Sequence, residues 1–395
     1  MSHASVDDHA AHIAELLAPA LIPRTEIVAL DDALGRVTAD TVHSPVDLPL
    51  FRNSQMDGFA VRAADVSAAP VTLPIAGEIA AGPAEPAPLE VGSSVRIMTG
   101  AVVPQGADAI VPVEDTTVDG DSVTILRARS AGQFVRDRGS DVREGDELVP
   151  AKVLLASRHL AALAAAGLNS VLVRARVRVA IITTGTELVT SGTMPKPGQI
   201  FDSNSVALAA AVRACGAVDV YRVHVGDNPA AMLAALSGAA AAADLIVTSG
   251  GISMGNYEVV REVLEPLGAR VGHIAMQPGG PQATAMFNGV PVVCFPGNPV
   301  STQISFEVFV ATLLRAASGL PAAVLESREV TSDVTSVAGK RQFLRGRRVE
   351  PGRVDVVSGP GSHLVAGLAA SDCLIVIGEE LSELKAGDTV ETWAL

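Results

Sequence analysis

From about residue 177 onward the chain repeats one pattern: a short apolar run, a polar turn, a helix-like stretch rich in alanine, and another apolar run. Residues 177–182 read as a strand buried on both faces, 206–214 as a helix and 218–225 as the next strand. The series continues with a helix at 230–242, a strand at 245–248 and a helix at 259–267. It closes with a strand at 292–295 and a helix at 304–316. Strands that are apolar on both faces and separated by helices predict a mostly parallel sheet with helices on each side. The expectation is a central three-layer α/β domain over residues 177–321.

At 395 residues the chain exceeds what one hydrophobic core serves, so further domains must flank this unit. The first 44 residues read as helical. Val6, Ala10, Ile13 and Leu17 share one face, and Asp31 can cap a second helix through Leu34 and Val37. Between residues 45 and 138 the texture changes to short β-rich runs (71–75, 95–98, 109–113, 123–126) separated by Gly and Pro turns. A helix at 157–166, capped by Ser157, follows. The reading is a helical-β stalk built from 1–44 and 139–176, interrupted by an inserted β-rich domain at 45–138. After Pro321 the runs at 354–357, 373–377 and 390–393 give a C-terminal β domain over 322–395.

Charge removes several function classes. The chain carries 43 acidic against 29 basic residues, net −14, which opposes nucleic-acid binding. No apolar run of 18 residues lacks a charge or a breaker, so no membrane span is expected. The first residues lack the basic and apolar regions of a secretory signal. Cys215, Cys294 and Cys373 are odd in number and far apart, as in a reducing compartment. A cytoplasmic protein is expected.

Open parallel sheets bind ligands at the carboxyl ends of their strands. Here those ends run into Thr183-Thr-Gly-Thr-Glu-Leu188, Gly226-Asp-Asn-Pro229, Thr248-Ser-Gly-Gly-Ile-Ser253 and Phe295-Pro-Gly-Asn-Pro-Val-Ser301. Any one of these could be ordinary turn chemistry. Four on one rim point to a ligand site. Ser249-Gly250-Gly251 would offer backbone N–H groups to phosphate oxygens. The stretch 271–306 holds no Asp, Glu, Lys or Arg, so an anion there must be met by N–H groups, hydroxyls and helix ends. Glu187, Asp227 and Glu258 follow successive strands and supply the hard oxygen ligands that Mg²⁺ takes beside phosphates. His273 reads as a surface or satisfied histidine. Walker-type, GxGxxG and HExxH patterns are missing from the sequence and no nucleophile elbow is read, which argues against covalent catalysis. Outside the α/β unit, the Asp57-Gly58, Thr99-Gly100 and Arg136–Asp141 segments are turn chemistry or further site loops.

Taken together, Asn53-Ser-Gln-Met-Asp-Gly-Phe-Ala-Val61, Arg96-Ile-Met-Thr-Gly100, Gly139-Ser-Asp141, Thr184-Gly-Thr-Glu-Leu188, Gln199-Ile-Phe-Asp-Ser-Asn204, Ser249-Gly-Gly-Ile-Ser-Met-Gly255, Pro296-Gly-Asn-Pro-Val-Ser301, Gly361-Ser-His-Leu364 and Ala370-Ser-Asp372 form an ordered set. With it the chain resembles, over nearly its whole length, the molybdopterin molybdenumtransferase family, which includes the C-terminal domain of gephyrin. The resemblance implies a four-part homodimer ending in a β barrel. Its implied reaction takes adenylylated molybdopterin and molybdate, cleaves the phosphoanhydride, releases AMP and leaves molybdenum on the dithiolene.

On that reading Glu187, Asp227 and Glu258 position Mg²⁺ and water, and Asp57, Thr99 and Asp141 approach from other domains or the partner subunit. The substrate would be cradled by Asp202, Asn204, Ser249, Gly250, Gly251, Ser253, Pro278, Gly279, Pro296, Gly297, Asn298, Pro299 and Ser301. Three positions depart from the family pattern: Glu258 stands where Asp is usual, Gly280 where a Pro-Gly-Lys-Pro run has its lysine, and Arg52 where an acid is frequent. Arg261, Lys340 and Arg341 are then candidates for a borrowed cation. Two rival readings are an adenylyltransferase or nucleotide pyrophosphatase on the same α/β unit, and a scaffold of the gephyrin type.

Overall fold

A computed structural model describes residues 4–83, 85–252, 258–349 and 351–395. The chain divides into two compact units, residues 1–26 with 174–395, and residues 27–173.

The first unit is organised by a six-stranded sheet in the order Val218–Val225, Arg178–Thr184, Leu245–Ser249, Val290–Phe295, Pro281–Phe287, Arg270–His273. The first four strands are parallel, and Pro281–Phe287 pairs antiparallel with both of its neighbours, Val290–Phe295 and Arg270–His273. Alternate side chains go to opposite faces, as the pleat requires. Val179, Ile181, Val247, Val293 and Phe295 join one core with Leu208, Val212, Ile304 and Phe306. Ala180, Ile182, Ile246, Val292 and Cys294 join the other with Met232, Leu236, Val260 and Leu264. This is a three-layer α/β arrangement with a mostly parallel sheet. The two edge strands are an addition to the sequence reading. The hairpin between Pro281–Phe287 and Val290–Phe295 turns at Asn288 and Gly289, both at positive φ (49° and 80°), the Asn-Gly geometry that a two-residue hairpin favours.

Two other elements of this unit also differ from expectation. The helix Val6–Leu17 buries Val6, Ile13 and Leu17 in the same core as Val179 and Phe306, so it packs on the α/β layers and not with residues 27–44. The helix expected at 304–316 starts earlier, at Pro299, and continues from Phe306 through a π-helical turn, Glu307–Ala311, into Thr312–Ser318.

Beyond it, Leu325–Val330, Arg341–Arg348, Arg353–Val356, Cys373–Ile377 and Thr389–Ala394 pair in a closed ring, a five-stranded C-terminal β barrel. The short strand Met276–Gln277 leaves the α/β domain and pairs in parallel with Arg341 and Gln342 of the barrel. That pairing fixes the barrel beside the sheet's last loops.

The second unit contains a β half-barrel of six strands, in the order Ala109–Pro112, Gly58–Val61, Ser94–Ile97, Val71–Ile79, Ser122–Ile125, Thr116–Asp119. Its remaining part packs the helix Ser157–Ala165, through Leu163, over Ala33, Val149, Leu155, Val171 and Val173. Ser157 is the first helical residue, and the cap is Ala156, whose N–H donates to His159 Nδ1 at 3.0 Å. The second helix expected after Asp31 does not form. A single 3-10 turn, Leu30–Asp32, is followed by Gly35 at positive φ, and the Gly35 N–H goes to the Leu155 carbonyl instead of to its own turn. Leu34 is exposed as a result.

Candidate active site

The carboxyl ends of the parallel strands and one wall of the barrel enclose a cavity of about 870 Å³. Glu187, Asp227 and Glu258 lie on its rim. Asp202, Asn204, Ser249, Gly250, Gly251, Pro278, Gly279, Pro296, Gly297, Asn298, Pro299 and Ser301 all line it. Ser253 lies outside the described residues. The structure therefore gathers the expected strand-end loops into one space, all of it within the first unit.

Local geometry explains how each loop faces the cavity. Gly250 and Gly251 hold φ of +93° and +69°, and a Cβ on Gly250 would sit 2.7 Å from Thr184 Oγ1 and 2.9 Å from its carbonyl oxygen. No other residue type lets this loop turn so close to the neighbouring strand. Its N–H groups are not all free, however: the Gly250 N–H donates to the Phe295 carbonyl at 3.0 Å, extending the ladder one residue past the strand. Asn204 donates from Nδ2 to Ser249 Oγ and to the Gly297 carbonyl, both at 2.8 Å, and so ties three loops together. Its buried Oδ1 has no partner and is left to accept from a ligand. Asp202 lines the cavity with its carboxylate already committed, accepting from Thr183 Oγ1 at 2.7 Å and from the Ser205 N–H at 3.0 Å. It sets the start of the helix Asn204–Ala214. That helix and Pro299–Phe306 both begin at the cavity, where helix N-termini favour anions.

The three rim carboxylates share the cavity without forming a ready-made cage. Among the described residues no three His, Cys, Asp or Glu side chains approach closely enough to hold one ion. Like charges repel when no cation joins them, and each carboxylate finds its own place. Asp227 Oδ2 accepts from Thr186 Oγ1 at 2.9 Å, the Glu187 carboxylate lies over Gly185 where a Cβ would be, and Glu258 precedes the helix Val259–Leu264 without capping it.

Of the three candidate cations, Lys340 lines the cavity. Arg341 is bound to Asp7 (2.7 Å) and Glu379 (3.2 Å), and Arg261 to Glu265 (3.0 Å), so both are committed elsewhere. His273 also lines the cavity, and its ring fills the space that a Cβ on Gly280 would enter. The sequence reading gave His273 no place in the site and gave none to Pro360, Gly361, Ser362 and His363, which form the barrel wall, although Gly361–His363 stands in the motif set. Nothing in the local pattern of 360–363 marks it as a strand-end loop.

In the second unit Asp57 and Thr99 meet: the Thr99 N–H and Oγ1 both donate to Asp57 Oδ1, at 2.7 and 2.8 Å. These two bonds hold the Asp57 carboxyl below its ordinary pKa. Asp141 is bonded to neither and lies on the segment that pairs with Leu48.

Comparison with known proteins decides the family. Residues 4–167 match the model of the MoeA N-terminal region (domain I and II), 180–316 that of a probable molybdopterin binding domain, and 328–395 that of the MoeA C-terminal region (domain IV). The chain belongs to the MoeA family of molybdopterin molybdenumtransferases. Within that family it is similar to molybdopterin molybdenumtransferase 2 of Mycobacterium tuberculosis, with 42% identity covering 99% of both chains. The molybdopterin molybdenumtransferase of Haemophilus influenzae is 34% identical over 93% of each. Two MoeA structures from Pyrococcus horikoshii, 32% and 26% identical, superpose with TM-scores of 0.78 and 0.72. They cover 97% and 98% of this chain and 98% and 99% of their own. As a MoeA-family enzyme it inserts molybdenum during molybdenum-cofactor synthesis, with molybdate as substrate. The family match along the whole chain favours molybdenum insertion over the adenylyltransferase, pyrophosphatase and scaffold readings. No helix among the described residues is long and apolar enough to cross a membrane.

Proposed function

We propose that the 870 Å³ cavity is where adenylylated molybdopterin and molybdate react, and that Glu187, Asp227 and Glu258 hold Mg²⁺ there. The observation that carries this reading is the pairing of oxygen donors with anion-compatible loops in one cavity. A carboxylate rim stands beside glycine turns, two helix N-termini and Lys340. Mg²⁺ usually takes one or two carboxylates and completes its shell with waters and substrate phosphates. Separate rim carboxylates fit that habit better than a closed cage. When bound, the ion neutralises charge on the phosphoanhydride and polarises it.

The chain's own residues supply the rest. Asp227 is oriented by Thr186, and Glu187 is packed over Gly185, so both carboxylates are aimed before substrate arrives. The Ser249–Gly251 and Pro296–Pro299 turns place backbone close to the nucleotide-pterin, and Asn204 Oδ1 accepts from it. No protein nucleophile is needed, because the attacking oxygen comes from molybdate or water. Asp57, Thr99 and Asp141 are proposed as further site residues, in an enzyme that works as a homodimer.

The decisive experiment measures AMP release from adenylylated molybdopterin with and without molybdate. Molybdate-dependent release is expected, abolished by EDTA and restored by Mg²⁺. Release that ignores molybdate would leave a pyrophosphatase, and release unaffected by EDTA would remove the metal from the reading.

A further inference from the structure

The first unit holds another cavity, of about 290 Å³, that shares no lining residue with the larger one. Three elements wall it: the helix Asn204–Ala214, the run from Pro299–Phe306 into the π-helical turn Glu307–Ala311, and the short helix Val365–Ala369. Leu208, Ile304 and Phe306 line it from the core, and Leu368 lines it from the barrel side. Close-packed interiors leave few voids larger than a water molecule, so a space of this size is not ordinary packing. It reaches the lower end of small-molecule sites, about 300 Å³. Ala211 and Ala369 leave the room that longer side chains would fill. Val365, 38% exposed, stands where the space opens to water.

One charged side chain enters this mainly apolar lining. Glu307 opens the π-helical turn, and among the described residues no hydrogen bond or ion pair is made to its carboxylate. Burial pushes its carboxyl above the ordinary pKa, and Arg315, about two turns further along, offsets this only in part. A carboxylate drawn out of water without a partner is costly to keep. π-helical turns are themselves rare and recur at functional sites. We propose that this cavity is a second binding site, for a small organic ammonium ion whose charge meets Glu307 and whose apolar body packs on Leu208, Ile304, Phe306 and Leu368. Gln303 also lines the space and supplies an amide oxygen for a further ammonium N–H. The net charge of −14 favours cations near the surface in general. A bare Mg²⁺ or Ca²⁺ fits poorly, because Glu307 and Gln303 are too few oxygen ligands. A neutral apolar molecule would leave the carboxylate unpaired. The inference is independent of what reacts in the larger cavity.

The probe is 2-phenylethylammonium chloride, with 2-phenylethanol as a neutral control of nearly the same shape. In the full chain with labelled methyl groups, the ammonium should shift the resonances of Leu208, Ile304, Val365 and Leu368, with the millimolar half-saturation of so small a ligand. The alcohol should bind about 10-fold more weakly, the scale of one charge-assisted contact. Glu307→Gln keeps the shape and removes the charge. It should weaken the ammonium about 10-fold and leave the alcohol unchanged, so that the two probes become alike. Equal binding of both probes by the wild type overturns the proposal, as does a folded Gln variant that still prefers the ammonium. Shifts confined to Leu188 and Ile252 would place the ammonium at the rim of the larger cavity and overturn it too. Should the Gln variant fail to fold, Ala211→Leu fills the space from the helix Asn204–Ala214 and leaves Glu307 in place. It should abolish ammonium binding, and a filled cavity that binds as before overturns the site. Shifts of the same methyl groups on diluting the protein alone would show that a second copy covers the cavity, which also overturns it.

Discussion

The rim carboxylates differ in how they are held, and that difference makes them testable one at a time. Asp227 is fixed by the Thr186 hydroxyl at 2.9 Å, whereas Glu187 is kept in place by lying over Gly185. Glu187→Gln or Asp227→Asn should each cut AMP release about 10²-fold with little change in melting temperature, the scale of losing one electrostatic stabiliser. Near-normal turnover in both would make the cluster structural. A second residue-scale expectation concerns Gly250. Its φ of +93° and the 2.7 Å approach of Thr184 Oγ1 leave no room for a methyl group. Gly250→Ala should destabilise by about 1–3 kcal/mol through strained backbone and a displaced strand end, read as a lower denaturant midpoint. An unchanged midpoint would show that the loop relaxes freely. Gly280 has a more particular outcome. Its backbone tolerates a side chain, since its φ is not positive, but a Cβ would strike the His273 ring. Gly280→Lys should therefore tighten the molybdate dependence more in combination with His273→Ala than on its own.

At the scale of elements, what the sequence revealed follows the range of the forces involved. The strand 373–377 was readable to the residue because burial on both faces writes an uninterrupted apolar run. The strand 218–225, which carries Asp219, Arg222 and His224 and buries only Val225 fully, was readable instead from its Val-rich composition between turns. Arg341–Arg348 was invisible: five charged or amide side chains hide a barrel strand whose burial is set by its partners, Arg345 included. The second N-terminal helix failed because Gly35 and the backbone of 153–155 captured its hydrogen bonds, a contact over more than a hundred residues that no local pattern announces. The Asn288-Gly289 hairpin, by contrast, carried a recognisable local signal that went unread. The helix Val6–Leu17 offers a pH test of its packing. His9 lies edge-on to Phe309 at 4.8 Å, and burial first, then His12 and Arg270, lower its pKa to about 4. An unfolded chain binds that proton from about 6.5 downward, so between those values the unfolded state holds more protons than the folded one. Stability should be full above pH 6.5 and fall by up to about 3 kcal/mol as the pH drops to 4. His9→Leu should flatten this slope in denaturant titrations at pH 7, 5.5 and 4. Equal slopes in both proteins would place the acid sensitivity elsewhere.

For the molecule as a whole, the strand-end half of the cavity was legible because sheet topology alone sends those loops to one rim. The barrel wall was not, because residues 360–363 reach the cavity through the pairing of Met276–Gln277 with Arg341 and Gln342, which is tertiary and leaves no periodic trace. Association between chains is the remaining level, and the second unit argues for it on its own. Its helical part encloses six fully buried apolar residues, Ala33, Val149, Leu155, Leu163, Val171 and Val173. Around that small core Ile27 is 72% exposed, Leu34 61% and Leu154 45%. Scattered apolar residues on a surface need no explanation, but large ones surrounding so thin a core leave much of the available hydrophobic area unspent. A second copy of the chain is the partner that requires no other gene product, and a symmetric interface of about 800 Å² per subunit would suffice to hold it. Sedimentation equilibrium at micromolar concentration should thus give twice the chain mass. Leu34→Glu combined with Ile27→Glu should shift the protein toward monomer while the melting of each subunit stays cooperative, since neither side chain belongs to a core. A wild type that sediments as a monomer would remove the dimer. A charged double variant that remains fully dimeric would move the interface away from this face.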